Sequence, residues 1–79
     1  MAPMSGTHVT NRIRELRFHA SEMTQKELAK RIGVSRQTVV AIEKAQYSPT
    51  LELAFRIASV FNVPLDSVFR YEPESSRSD

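Results

Sequence analysis

Residues 24–44, TQKELAKRIGVSRQTVVAIEK, constrain the fold more than any other stretch of the chain. They carry the start and stop signals of two short helices with a tight turn between them. Thr24 is placed to cap the first helix, and Glu27 sits three residues on, where a capping box puts a carboxylate that reaches back. Leu28, Ala29 and Ile32 then share one helical face. Gly33 follows where a helix end often needs a positive φ. Ser35 is placed to cap a second helix, whose apolar positions Val39 and Ile42 are three apart. The spacing predicts helices near 25–32 and 36–44, with the polar run Arg36-Gln37-Thr38 on the first turn of the second.

A chain of 79 residues has room for one domain. At this size only about 60% of the unfolded surface is buried, so contacts with a second chain would add to a modest stability. There is no cysteine, which excludes disulfides and thiolate metal sites and fits a reducing cytoplasm. No apolar run is long enough for a membrane span or a signal peptide. The net charge of +2 says less than its distribution. Residues 1–44 hold eight Lys/Arg and four Asp/Glu, whereas residues 45–79 hold three and five. The helical hairpin therefore lies in the basic half, as a phosphate-facing surface should. Two ordinary solvated faces would give the same asymmetry.

Taken in order, residues 1–6 show no pattern and read as a disordered start. Thr10 or Asn11 is placed to cap a first helix, with Val9, Ile13, Leu16 and Ala20 on one apolar stripe and Arg12, Arg14 and Glu15 off it. Residues 19–23 end that helix. Pro49 interrupts any helix running on from the hairpin. Thr50 caps a further helix with the stripe Ala54, Ile57, Ala58 and Phe61, flanked by Leu51 and Leu53. Phe55 lies off that stripe, so its ring faces either a partner or the chain's own tail. Asn62 closes the helix and Val63-Pro64 breaks it. Residues 65–69 read as a short fifth helix, and the bulky β-formers of residues 68–72 as a strand. Residues 73–79 are polar and read as a disordered tail.

The hairpin resembles the helix-turn-helix of the phage-repressor/Cro family, also called the xenobiotic-response-element family. Ala29, Gly33, Val39 and Ile42 sit where that pattern has its small, glycine and apolar positions. The small Ala29 lets the two helices cross closely. The resemblance extends to Ile13-Arg14-Glu15-Leu16-Arg17, to Ser48-Pro49-Thr50-Leu51-Glu52 and to Val63-Pro64-Leu65, so it covers about residues 9–71, within a DNA-binding domain read as residues 7–72. It implies an all-α, five-helix, lambda-repressor-like bundle of the single-domain type. Some small relatives also pair their chain ends as two short antiparallel strands, here residues 7–9 with 70–72. The family commonly has Gly where this chain has Ser21, and again where it has Ala45. A left-handed backbone at Ala45 would cost roughly 1 kcal/mol.

The same resemblance implies double-stranded DNA as partner. A recognition helix fits the major groove, which is about 12 Å wide, and its first turn faces the base edges. The fork of Arg36 suits guanine O6 and N7, and the amide of Gln37 suits adenine N6 and N7. Ala41, one turn on from Gln37, can only touch a thymine methyl or make room, and Val40 is a weaker candidate for apolar contact. Gln25, at the amino end of the first hairpin helix, matches a family position that binds phosphate. Thr38, Lys44 and Tyr47 are further phosphate candidates, and Ser35 either binds phosphate or only caps its helix. Arg17 and Glu43 match a buried ion pair that fixes the angle of the recognition helix, although two solvated charges would also fit.

One recognition helix reads too few base pairs to select a site in a genome, which calls for a two-fold dimer. Leu65 and Phe69, together with Phe55, are the apolar residues expected at its interface, with Val68 in the core. His8 and His19 are isolated, and no nucleophile, catalytic carboxylate pair or phosphate loop is present, so no enzyme activity, cofactor, metal or small-molecule ligand is expected. The reading is a homodimeric cytoplasmic repressor at the nucleoid, binding an inverted repeat. The alternative is an antitoxin-like protein-interaction module, for which the polar tail is a poor toxin-binding segment.

Overall fold

The computed structural model describes residues 6–73. The disordered ends expected at 1–6 and 73–79 therefore fall almost wholly outside the described residues. The element order is β1 (Val9–Asn11), α1 (Ile13–His19), α2 (Gln25–Ile32), α3 (Arg36–Glu43), α4 (Leu51–Phe61), a single 3-10 turn (Leu65–Ser67) and β2 (Phe69–Tyr71). This is a mostly helical domain of four helices with the short antiparallel strand pair expected at the chain ends, and it corrects the expectation of five helices. The expected fifth helix is one 3-10 turn. Pro64 stands before it and Phe69 is drawn into β2, so too few residues remain for an α-helical turn to propagate.

The strands pair antiparallel with Val9 opposite Tyr71, Thr10 opposite Arg70 and Asn11 opposite Phe69. Arg12 N–H to Val68 O (2.9 Å) and Glu72 N–H to His8 O (2.8 Å) extend the ladder at both ends. The pairing lies two residues further along β1 than expected. Val9 is accordingly in a strand and not on the apolar stripe of α1, which begins only at Ile13. Asn11 makes that start possible, its Oδ1 accepting the Ile13 N–H at 3.1 Å.

Three helices start on the hydroxyl caps read from the sequence. Thr24 accepts from Glu27 N–H (3.0 Å), Ser35 from Thr38 N–H (3.2 Å) and Thr50 from Leu53 N–H (3.1 Å). The capping box at Thr24 is only half formed, because the Glu27 carboxylate turns to Arg31 four residues on, at 3.0 Å. The same three helices end alike. A residue in the left-handed region (Gly33, Ala45 or Asn62) is followed by an N–H that bonds five residues back: Val34 to Ala29, Gln46 to Ala41 and Val63 to Ala58.

The core joins the four helices, with Leu65 of the 3-10 turn and Phe69 of β2 packed against it. Ile13, Leu28, Ile32, Ile42, Ile57 and Val68 are fully buried and lie in one cluster. Ala29 is buried within it, between α2 and α3, as its small size requires. Met23, which belongs to no stripe, fills the core beside the α1–α2 turn, where a flexible thioether suits an irregular gap. That turn carries two consecutive left-handed residues, Ser21 (φ 61°) and Glu22 (φ 59°). Leu53 is buried, whereas Leu51 stays exposed.

Candidate nucleic-acid interface

The first turn of α3 is presented to solvent. Ser35 caps it and is exposed; Arg36 and Gln37 are exposed, and neither side chain has a hydrogen-bond or ion-pair partner among the described residues. Thr38 is half-buried, with its hydroxyl 3.1 Å from that of Ser35. Ala41 is half-buried one turn further on, and Lys44, just past the helix, is exposed. Tyr47 is exposed in the α3–α4 connection.

The carboxyl end of α3 is tied down from three directions. Arg17 of α1 meets the Glu43 carboxylate with both prongs, Nε to Oε2 at 2.7 Å and Nη2 to Oε1 at 3.1 Å. The remaining Arg17 donor reaches Met23 O at 2.8 Å, across the strained α1–α2 turn. Both side chains are largely withdrawn from water, at 14% and 9% exposure. Gln25 joins them, donating Nε2 to Glu43 Oε1 at 3.2 Å. One carboxylate thus links α1, α2 and α3. Asn11 adds a tie from β1, with Nδ2 donating to Ile42 O at 2.8 Å, and Thr7 N–H reaches Ala45 O at 2.9 Å.

An open concavity runs between α1, the start of α2 and α3. Of the residues singled out in the sequence it collects Gln25, Arg36 and Lys44, over the Arg17–Glu43 pair. Gln37, Thr38, Ala41 and Tyr47 do not line it. It also collects Arg12, Arg14, Phe18 and Lys26, which the sequence reading did not single out. Arg14, Arg17 and Phe18 stand at i, i+3 and i+4 on α1, a helical spacing that marks this second face of α1. Arg12 is held by Glu15 at 3.2 Å; that contact holds the Glu15 carboxyl below its usual range and raises the Arg12 guanidinium, through the hydrogen bond first and charge attraction second. Nothing in the hairpin itself points to Asn11.

The three residues assigned to a dimer surface do not line that concavity. Phe55 is 53% exposed, whereas Leu65 and Phe69 are half-buried and packed against the core. Leu65 borders two depressions, a mixed one with Phe55, Ser59, Asn62 and Val63, and an apolar one with Val9, Phe69 and Tyr71. Val68 is buried.

A helix-turn-helix family model (HTH_3) matches residues 13–68. The chain belongs to the Cro/C1-type helix-turn-helix family. This is a family of DNA-binding transcriptional regulators, not of enzymes. Curated relatives include an uncharacterized HTH-type transcriptional regulator of Methanocaldococcus jannaschii, 54% identical over 52 residues that make up 66% of this chain and 79% of that protein. One from Archaeoglobus fulgidus is 49% identical over 80% of this chain and 87% of its own length. The cryptic phage CTXphi transcriptional repressor RstR of Vibrio cholerae is 38% identical over 71% of this chain and 50% of its own. Among solved structures, the transcriptional regulator VanUg superposes with a TM-score of 0.66 over 94% of this chain and 97% of its own, at 20% identity, a likeness of fold. No helix among the described residues is long and apolar enough to cross a membrane.

Proposed function

We propose that this protein is a sequence-specific repressor that binds an inverted-repeat operator as a homodimer, with residues 7–72 as the DNA-binding domain. The observation that carries the reading is the state of Arg36 and Gln37. Both are exposed on the first turn of α3, and the fold uses neither for its own hydrogen bonds. An Arg and a Gln kept free at the end of a rigidly held helix are suited to bidentate contact with guanine and adenine in the major groove. Lys44, Tyr47 and Thr38 flank that edge for phosphate contact, with Ser35 serving its cap. Gln25 keeps a second amide N–H for a phosphate while the first is held by Glu43. Ala41 leaves room for a thymine methyl. The Arg17–Glu43 pair sets the angle of α3.

Dimerisation uses the surface around Leu65. Leu65 borders both depressions, so one contact there covers Phe55 on one side and Phe69, in the apolar depression, on the other. Asp66 and Arg70 flank the second depression with opposite charges, which a two-fold axis can bring together. A relative named as a repressor supports the sign of regulation, which would follow from promoter occlusion in the cytoplasm.

Selection of bound duplexes from a random pool, with sedimentation of the free chain, tests the reading. Enrichment of an inverted repeat with half-sites one duplex turn apart, about 34 Å, and a dimer at micromolar concentration are the expected results. A pool left without enrichment at low salt overturns the sequence-specific reading.

A further inference from the structure

Six Lys/Arg residues among those described have no carboxylate within ion-pair distance: Arg14, Lys26, Lys30, Arg36, Lys44 and Arg70. Four of these, Arg14, Lys26, Arg36 and Lys44, line the concavity between α1, α2 and α3. The other charges there cancel in pairs, Arg12 with Glu15 and Arg17 with Glu43. The residue left over is four unneutralised cations around one open surface. Gathering like charges opposes the compact state, so nothing in the fold itself calls for them.

We propose that this concavity is a track for the sugar-phosphate backbone of one DNA strand, and that Arg14 on α1 is the phosphate anchor of its far wall. The inference rests on the DNA-binding reading and extends the interface from the hairpin to the first helix. Arg14 on α1, Lys26 on α2 and Lys44 just past α3 border an open surface, an arrangement that suits a row of phosphates better than a single small anion, while Arg36 keeps its base contact. Their relative placement is rigid. Arg17, three residues from Arg14 on the same helix, is locked to Glu43 at the end of α3. Arg14 therefore holds a fixed position relative to Arg36, at the other end of that helix. The exposed ring of Phe18, one turn on from Arg14, borders the same track and offers an apolar face to a deoxyribose.

The test is a titration of the full chain with two fluorescent duplexes, one of random sequence and one selected as above, at several salt concentrations. Each phosphate neutralised contributes about 0.9 to the slope of log K against log salt. Arg14→Gln is expected to lower that slope by about 0.9 for each copy bound, and to weaken both duplexes by the same factor. Lys30→Gln, which removes an exposed, unpaired cation that does not line the track, is expected to leave slope and affinity unchanged. Arg14 is exposed and unpartnered, so the melting curve should stay that of the wild type. An Arg14→Gln protein with wild-type slope and affinity overturns the track while leaving the DNA-binding reading intact. So does an equal loss in Lys30→Gln. A wild-type chain that binds neither duplex at low salt overturns both readings.

Discussion

The two ends of the recognition helix are held by different means. At the amino end, Gly33 closes α2 and Ser35 caps α3, and both act within a few residues of the helix itself. At the carboxyl end, the ties come from Arg17, Asn11 and Thr7, which are 26, 31 and 38 residues away from their partners Glu43, Ile42 and Ala45. The amino end is thus free to present side chains, because its one cap contact, Ser35 to the Thr38 N–H, is local. The carboxyl end is where the helix is fixed to the rest of the molecule. This division suits a helix that must offer its first turn to another molecule while keeping its angle.

Three substitutions separate the two ends, and the largest effect belongs at the carboxyl end. Glu43→Ala removes the acceptor for Arg17 and Gln25 together and leaves a largely buried guanidinium with one partner, Met23 O. A loss of about 3 kcal/mol in unfolding free energy is expected, the low end for a broken buried pair because some water reaches both side chains. Urea denaturation reads it directly. A loss far smaller than that would reduce the pair to the rank of a solvated surface pair such as Arg12–Glu15.

At the amino end the expected effect is on binding. Gln37→Ala should cost about 1–3 kcal/mol of affinity for the selected operator and relax the preference at one base position. Its stability should hardly change, since the side chain contacts no polar group of the fold. Unchanged affinity for the operator would remove Gln37 from the reading set. A large drop in melting temperature would show that the amino end is structural as well, and the contrast between the ends would fail.

The same contrast explains what could be read from the sequence. The caps Thr24, Ser35 and Thr50, the bounds of α2 and the small Ala29 were legible because each signal lies within one helix or one crossing. The two ends of α4 were legible for the same reason. The register of the strand pair was not, since three-residue strands carry little pattern and their alignment depends on how the ends of the chain meet. The 3-10 turn was misread as a helix because Leu65, Val68 and Phe69 have helical spacing, although Phe69 is taken by β2. Arg14 and Asn11 were missed for a further reason. Arg14 lies off the core stripe, and the tie from Asn11 to Ile42 O is a backbone contact that no side-chain pattern encodes.

The smallest expected effect sharpens the comparison at one residue. The helices α2, α3 and α4 all end with a left-handed residue and a bond five residues back, but the residues differ: Gly33 (φ 80°), Ala45 (φ 56°) and Asn62 (φ 57°). Glycine has no Cβ to clash, and asparagine tolerates this region better than most residues. Alanine does neither, and its Cβ costs roughly 1–2 kcal/mol there. Ala45 is held in place from both sides, its N–H bonding Ile42 O at 3.0 Å and its C=O accepting from Thr7 N–H at 2.9 Å. The strain is therefore borne by the same long-range ties that fix the carboxyl end of α3. Ala45→Gly should relieve it. The greater freedom of glycine in the unfolded chain takes back about 0.5–1 kcal/mol, which leaves a net gain of roughly 0.5 kcal/mol. For a domain of this size that is a rise of about 2–4 °C in melting temperature. Gly33→Ala is the mirror experiment and should lower it. The nearest atom a new Cβ would meet is the Arg56 guanidinium nitrogen at 3.5 Å, an ordinary contact, so the loss there reports the backbone alone. A lower melting temperature in Ala45→Gly would show that the turn after α3 is not strained.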